Sequence, residues 1–164
     1  MYLKKQTGGI WTYNKILVPV DGSKIALKAA GHAINMAKLM NAEIEVLHVI
    51  PETEEDEKEK KFLEDKVEES LSLFTELFGQ SYIKQIEEVC STQGVTMTKV
   101  IERGDPGPVI VEESKKQDIE LIVIGRRKET TEEKLLGSIS EYVLKNSKCP
   151  ILIVTMSSPD FCGL

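Results

Sequence analysis

The sequence has 164 residues and a net charge of −6; 41% of its residues are hydrophobic and 29% are charged. This size and balance are typical of one soluble globular domain, and the negative charge argues against a nucleic-acid-binding surface. No apolar run reaches the roughly 18–20 residues that span a bilayer, so we expect no membrane segment. Three widely spaced cysteines and two histidines form no zinc-ligand pattern, which favours free thiols in a reducing cytoplasm.

The predicted organisation is an N-terminal extension over residues 1–13, an α/β domain over 14–156 and a C-terminal tail over 157–164. The extension lacks the apolar segment of a signal peptide. The short tail is expected to fray.

The first predicted strand is the nearly continuous apolar run from Lys15 to Val20. Such a run is typical of a parallel strand that is buried on both faces. The Asp21-Gly22-Ser23 turn follows it, and Ser23 can cap the next helix. Alanines recur at helical spacing from Ala26 to Leu39, which predicts a helix packed closely on the sheet.

A second strand is predicted from Ala42 to Ile50, ended by Pro51. The charged run that begins at Glu52 precedes apolar residues at helical spacing up to Phe78, which predicts a long helix with an acidic start. A break near Gly79 and a further helical piece over 82–90 are expected. The alternative for the charged run is a disordered acidic segment.

Three further strands are predicted, from Val95 to Ile101, from Ile119 to Ile124 and from Ile151 to Met156. Pro106 suits the first turn of a helix that ends near Gln117. Another helix is predicted over 135–144.

Alternating strands and helices predict a doubly wound α/β fold, with an open sheet of five mainly parallel strands in the order 3-2-1-4-5 and helices on both faces. Ligands of such sheets lie beyond the carboxyl ends of the strands. Three loops therefore meet at the expected site: the loops that follow the first, third and fourth strands.

The loop from Gly125 to Ser138 joins a buried strand to a helix. A phosphate there would meet free backbone N–H groups and the positive end of the helix dipole, with Gly137 allowing close approach and Ser138 donating a hydrogen bond. Arg126 and Lys128 add positive charge. The alternative is a long surface loop ended by an ordinary Gly-Ser helix cap, and spacing alone does not separate the two.

Asp21 ends the first strand and points to the same crevice. Its carboxylate can accept hydrogen bonds from a nucleobase or ribose, or hold a metal ion that bridges phosphates. The alternative is a structural Asp-Gly turn whose carboxylate satisfies local backbone groups.

Several enzyme classes lack their motif here. The sequence has no Walker loop, no G-x-G-x-x-G after the first strand and no G-x-S-x-G elbow. His32 falls within a helix and His48 near the end of the second strand, where structural roles are favoured. No nucleophile and base can be paired, so we assign no catalytic residue and expect any hydrolysis of a bound nucleotide to be slow.

Five blocks in order resemble the universal stress protein family over about residues 14–156. The blocks are ILVPVDGS at 16–23, AKLMNAEIEVLHVIP at 37–51, ERGDPGPVIVEES at 102–114, ELIVIG at 120–125 and GSISEYVLKNSKCPILIV at 137–154. The resemblance implies a homodimer formed through the fifth strand, residues 151–156, and, as in a subset of the family, binding of ATP or another adenine nucleotide with Mg²⁺ or Mn²⁺.

The ATP-binding subset has a G-x2-G-x9-G-[ST] pattern after the fourth strand. Gly125 resembles its first glycine and Gly137-Ser138 its end, while Asp21 resembles the adenosine-side aspartate and Val49 the position that frames adenine. Asp21 would touch a metal only indirectly. The nucleotide contacts that we expect are Pro19, Val20, Asp21, Val49, Gly104, Gly125, Arg126, Lys128, Gly137 and Ser138.

Two departures from the pattern leave a second hypothesis open. Lys128 replaces the second glycine, and the stretch from Gly125 to Gly137 is one residue short. Lysine disfavours backbone conformations that glycine allows, although its side chain can itself contact a phosphate. The alternative is a dimeric interaction protein that keeps the fold and has lost the nucleotide site.

Overall fold

The computed structural model describes residues 12–51, 81–116, 118–126 and 136–161. No helix within these ranges is both long and apolar enough to cross a membrane. Helices and strands alternate along the chain in this order: β1 (Lys15–Val20), α1 (Lys24–Met40), β2 (Glu43–Ile50), α2 (81–93 in the described part), β3 (Met97–Arg103), α3 (Pro106–Glu113), β4 (Leu121–Gly125), α4 (Ser138–Asn146) and β5 (Ile151–Val154).

The five strands form one sheet in the order β3-β2-β1-β4-β5, and every neighbouring pair is parallel. One face packs on α1 and α2 through a core that contains Val18, Ala29 and Ile86. The other face packs on α3 and α4 through Leu17 and Val143. The predicted doubly wound fold and its strand order are confirmed.

Local sequence features explain the boundaries of α1. The Ser23 hydroxyl accepts a hydrogen bond from the Ala26 N–H at 3.2 Å, which satisfies a free donor of the first turn. The helix ends at Asn41, whose left-handed φ of 55° lets its N–H donate to the Ala37 carbonyl. Small buried residues such as Ala29 and Ala33 bring the helix axis close to the sheet.

Some predicted boundaries differ from the structure. β3 begins at Met97, two residues later than predicted, and extends to Arg103. β5 ends at Val154 instead of Met156, because the Thr155 N–H donates to the Ser158 hydroxyl and the chain turns. The last helix begins at Ser138, after the extended N-cap residue Gly137, and ends at Asn146, whereas the prediction was 135–144. The predicted acidic helix and the break near Gly79 lie outside the described residues.

The C-terminal tail is packed on α1 as far as Phe161, contrary to the predicted fraying. The Lys28 ammonium donates to the Met156 carbonyl at 2.8 Å, and the His32 Nε2 donates to the Pro159 carbonyl at 2.8 Å. Gly31 lies between them, where a β-carbon would be 2.6 Å from the carbonyl oxygen of Phe161. Contacts from about one turn of α1, at residues 28, 31 and 32, therefore hold the tail.

A cluster of charged side chains lies at the amino ends of the strands, away from the predicted site. Lys15 Nζ lies 2.7 Å from the buried Glu45 carboxylate and 2.9 Å from Asp118. Burial lowers the pKa of Lys15, but the hydrogen bonds and charges of Glu45 and Asp118 outweigh it and raise that pKa. Burial tends to raise the pKa of Glu45, yet hydrogen bonds with Glu113 and Lys15 hold it below its usual range.

Candidate functional site

A cleft of about 540 Å³ lies across the carboxyl ends of β1, β2 and β4, where parallel α/β sheets hold their ligands. Pro19, Val20 and Asp21 line it from β1 and the turn after it, and Gly125 lines it from β4. The amino end of α4 closes the far side of the cleft with residues 137–140. The volume falls within the roughly 300–1,000 Å³ of small-molecule sites.

The inner walls of the cleft are apolar. Leu47 and Val49 come from β2, Ile110 from α3, and Ile25 from the first turn of α1. Leu47 lies beside Pro19 in the register of β1 and β2, so the two strand ends form one continuous surface. A wall of this kind fits a flat, weakly polar group better than a charged one.

The amino end of α4 supplies an anion-binding element on the opposite side. Gly137 is the N-cap residue, with φ −69° and ψ 157°, and no side chain caps the helix there. The Gly137 carbonyl accepts hydrogen bonds from the Glu141 N–H at 2.9 Å and the Ser140 hydroxyl at 3.0 Å, which orient the first turn. The N–H groups of that turn and the helix dipole favour a negative ligand group.

The turn after β1 places Asp21 at the rim of the cleft. Asp21 Oδ1 accepts a hydrogen bond from the Ser23 N–H at 2.9 Å, so the carboxylate does serve a local backbone group. The preceding carbonyl, that of Val20, accepts a hydrogen bond from His48 Nδ1 at 3.0 Å. His48 itself is buried and lines the cleft. Asp21 is thus an exposed carboxylate on a turn that is tied to the strands below it.

Seven of the ten predicted contact residues line the cleft: Pro19, Val20, Asp21, Val49, Gly125, Gly137 and Ser138. Gly104 and Arg126 are described but are not among the lining residues. The Gly104 N–H donates to the Ile50 carbonyl, and the Arg126 N–H donates to the Val154 carbonyl. Lys128 lies outside the described residues. The structure therefore brings together the predicted residues from both sides of the crevice.

Gly125 has a structural reason to be glycine. A β-carbon at this position would lie 2.8 Å from the Ile25 carbonyl oxygen, so α1 packs directly against the end of β4. Gly125 is predicted as a nucleotide contact because it resembles the first glycine of the family pattern, and its observed neighbour is the backbone of α1. Close packing between α1 and β4 sets the depth of the cleft at this point.

Sequence reasoning missed most of the apolar wall, including Ile25, Leu47, Ile110, Ile124 and Ile139. Leu47 lies three residues before the predicted end of its strand, and Ile124 is itself a predicted strand end, so strand register was a usable signal for them. Ile110 comes from the middle of α3 and Ile139 from the first turn of α4. Their positions depend on how those helices pack, which no local pattern reports.

The described ranges hold no group of three histidine, cysteine, aspartate or glutamate side chains placed to bind a metal ion. Among the described residues that line the cleft, only Asp21 has a carboxylate side chain. A metal ion at this site would therefore need most of its ligands from elsewhere, such as the phosphates of a bound nucleotide.

Comparison with known proteins agrees with the fold. Residues 12–155 match the model of the universal stress protein family. A curated universal stress protein of Methanocaldococcus jannaschii is 37% identical over 146 residues, which cover 87% of this chain and 82% of that protein.

Solved structures of the same fold include UspA from Lactobacillus plantarum, with a TM-score of 0.77 and 24% identity over 88% of this chain and 99% of that one. An Arabidopsis thaliana family protein with AMP bound has a TM-score of 0.65 and 20% identity, covering 88% and 93%. An Archaeoglobus fulgidus family protein in complex with dAMP has a TM-score of 0.63 and 19% identity, covering 88% and 99%. The matched residues extend over the whole sheet and both helical layers, and the chain belongs to the universal stress protein family.

Proposed function

We propose that the protein binds an adenine nucleotide in the cleft at the carboxyl ends of β1 and β4. One observation carries the proposal: the same cleft combines apolar walls, an exposed carboxylate at Asp21 and the uncapped amino end of α4. These three elements match the base, the sugar and the phosphate of a nucleotide. The AMP and dAMP complexes of two structural relatives support this ligand class.

The proposed orientation follows from the chemistry of the walls. Adenine lies against the apolar surface that contains Pro19 and Val49, and the ribose lies near Asp21. The phosphates meet the N–H groups at Gly137 and Ser138, because the amino end of a helix favours negative charge. Arg126 and Lys128 belong to the sequence between β4 and this helix, and their positive charge favours a phosphate ligand.

ATP with Mg²⁺ or Mn²⁺ is the specific nucleotide that we propose. The metal would bridge phosphate oxygens, as Mg²⁺ commonly does, with Asp21 touching it only indirectly. No side chain of the described cleft is placed as a nucleophile with a partner base. The proposed activity is therefore binding, with hydrolysis slow if it occurs.

Thermal unfolding with and without nucleotide tests the proposal. A ligand that binds only the native state at 100 times its Kd adds about 2.7 kcal/mol, which raises the Tm of a domain of this size by roughly 5–10 °C. We expect such a shift with ATP and Mg²⁺, and the shifts with ADP and AMP show how much each phosphate contributes. Absence of any shift at millimolar ATP, ADP and AMP favours the dimeric interaction protein without a nucleotide site.

Two variants make the measurement specific. Gly137→Val places a branched side chain where the phosphate is proposed, and it should abolish the shift. Ser91→Ala changes an exposed serine on α2 that does not line the cleft, and it should leave the shift unchanged. Equal shifts in both variants would mean that the nucleotide binds elsewhere.

We also propose a homodimer through β5. The sheet has two edges, and they differ in chemistry: β3 carries charged residues such as Lys99, Glu102 and Arg103, whereas β5 reads Ile-Leu-Ile-Val. Charged edge strands resist pairing with another chain, and exposed apolar ones favour it. Antiparallel pairing of two β5 strands would cover this edge in both copies.

A further inference from the structure

The end of β2 is connected to the Asp21 turn through one buried hydrogen bond. Val20 and His48 lie side by side in the parallel register of β1 and β2. His48 is 6% exposed, and its Nδ1 lies 3.0 Å from the Val20 carbonyl oxygen. Because a carbonyl only accepts, Nδ1 carries the proton. The other ring nitrogen, Nε2, is buried and has no hydrogen-bond partner within the described chain.

This bond is the first link of a series that passes through Asp21. The Val20 carbonyl belongs to the peptide group whose nitrogen is that of Asp21, so fixing the carbonyl fixes the start of the turn. Asp21 Oδ1 then accepts the Ser23 N–H at 2.9 Å, and the Ser23 hydroxyl accepts the Ala26 N–H at 3.2 Å. Consecutive hydrogen bonds therefore connect β2 to the first turn of α1, and Asp21 lies between them.

We propose that His48 is a positioning residue for ligand binding, which holds the Asp21 carboxylate at the rim of the cleft. This inference rests on the proposed nucleotide site. His48 acts through the Val20 carbonyl and need not touch the ligand. The carboxylate is held in place before the ligand arrives, so less conformational entropy is lost on binding.

The surroundings of His48 argue that its imidazole serves more than packing. Ile44 and Val46 belong to the same core on this face of β2, and both are fully buried aliphatic side chains. A leucine would fill a similar place without burying a polar atom, and a buried nitrogen without a partner carries a free-energy cost. What the imidazole adds at residue 48 is its Nδ1 donor.

Three variants test the role by isothermal titration with AMP. His48→Leu removes the donor and should weaken binding roughly 10-fold, the loss expected for one hydrogen bond of about 1.4 kcal/mol. His48→Asn places an amide donor near the position of Nδ1 and should recover affinity to within about 3-fold of the native protein. His32→Leu removes a similar histidine–carbonyl hydrogen bond outside the cleft and should leave binding unchanged.

A double-mutant comparison with Asp21 distinguishes a positioning role of His48 from a general effect of His48 on stability. In an Asp21→Ala background, His48→Leu should cost no further affinity, because the group that it positions is already gone. An equal loss in both backgrounds overturns the proposal, as does native affinity in His48→Leu.

A measurement without ligand distinguishes failure of this proposal from failure of the nucleotide site. The Ser23 amide bonds to Asp21 Oδ1, so its hydrogen exchange, followed by NMR, reports how firmly the turn is held. We expect faster exchange at Ser23 in His48→Leu and native exchange in His32→Leu. If the native protein binds none of ATP, ADP and AMP, the nucleotide site fails, and the Ser23 exchange still decides whether His48 holds the turn. Unchanged exchange in His48→Leu overturns the positioning role.

Discussion

The aromatic ring of Tyr82 in α2 lies against the backbone of Gly22, in the space that a β-carbon at residue 22 would occupy. Gly22 has φ +78°, a conformation that glycine adopts without strain and other residues rarely adopt. The turn that carries Asp21 is therefore held on a second side, by α2, in addition to its hydrogen bond with His48.

Gly22→Ala should be strongly destabilising because two costs add. The left-handed backbone costs an alanine about 1–2 kcal/mol, and displacing a packed ring costs about 1–3 kcal/mol. We expect the free energy of unfolding in urea to fall by about 2–5 kcal/mol.

Gly94→Ala is the matched control for this substitution. Gly94 also has positive φ, +71°, but a β-carbon there would meet no atom within 4 Å. Only the backbone cost of about 1–2 kcal/mol applies at this position. Equal losses for the two variants would show that the contact between Tyr82 and Gly22 contributes nothing.

Gly125 and Ser138 should respond differently to substitution by alanine, although both line the cleft. A β-carbon at Gly125 would lie 2.8 Å from the oxygen and 2.9 Å from the carbon of the Ile25 carbonyl group, so backbone must move. We expect Gly125→Ala to lower the free energy of unfolding by about 1–3 kcal/mol without any ligand. Ser138 is exposed, and Ser138→Ala should change stability by less than about 0.5 kcal/mol.

Nucleotide titration completes this comparison. Ser138→Ala should weaken AMP binding about 3- to 10-fold by removing one donor at the proposed phosphate position. A stable Gly125→Ala protein with lost binding would contradict the packing role and support direct phosphate contact at this glycine.

The strands and their order could be predicted because a parallel sheet covered on both faces requires nearly continuous apolar runs. The runs at 15–20 and 119–124 have this form, and turns or glycine end them. The same logic identified the crevice, since parallel strands all end on one side of the sheet. Asp21 and Gly125 follow from strand ends alone, whereas Val49 was expected from the family resemblance and Leu47 and Ile124 were missed.

The features of the fold that could not be predicted depend on contacts between residues that are distant in sequence. Glu45 sits in the middle of an apolar strand and is buried, because Lys15 and Glu113 come from other elements to pair with it. The tail stays on α1 because Gly31 leaves room for the Phe161 backbone. Local sequence patterns do not show such pairings, so they could not be predicted from the sequence.

Glu113 predicts a pH dependence of stability. Burial and the hydrogen bond with Glu45 raise the pKa of Glu113 above its ordinary value of 4.5, against the opposing effect of Lys116. A group whose pKa is higher in the folded state binds more protons when folded, so stability falls as pH rises from about 4.5 through the folded pKa. Glu113→Gln removes this titration and keeps a donor for Glu45. We expect the stability of Glu113→Gln to rise relative to that of the native protein as the pH rises above about 4.5.

Glu112→Gln is the control for that pH series. Glu112 pairs with Lys115 at i,i+3, as Glu113 pairs with Lys116, but the Glu112 side chain is 75% exposed. Urea unfolding at several pH values should show no pH-dependent gain for Glu112→Gln. A similar gain in both variants would show that the stability change comes from the charge of α3 and not from the buried pair of Glu45 and Glu113.

The backbone geometry of β5 shows how to test the proposed dimer. Pro150 and Val154 accept hydrogen bonds from β4 through their carbonyl groups, so the N–H and C=O groups of Ile151 and Ile153 face away from β4. Proline tolerates an edge position whose N–H points outward, yet it removes the donor that a partner strand needs. We expect the native protein to be a dimer by light scattering at micromolar concentration and Ile153→Pro to be a monomer.

Lys99→Pro makes the same change at the other edge of the sheet. Thr96 and Gly104 bond to β2, so the N–H of Lys99 points away from β2 in the same way. This variant should remain dimeric, because the charged β3 edge is not the proposed interface. If Lys99→Pro is the monomer and Ile153→Pro stays dimeric, the interface lies at β3. A native protein that is monomeric at micromolar concentration rules out both edges as stable interfaces and leaves the apolar residues of β5 without a partner.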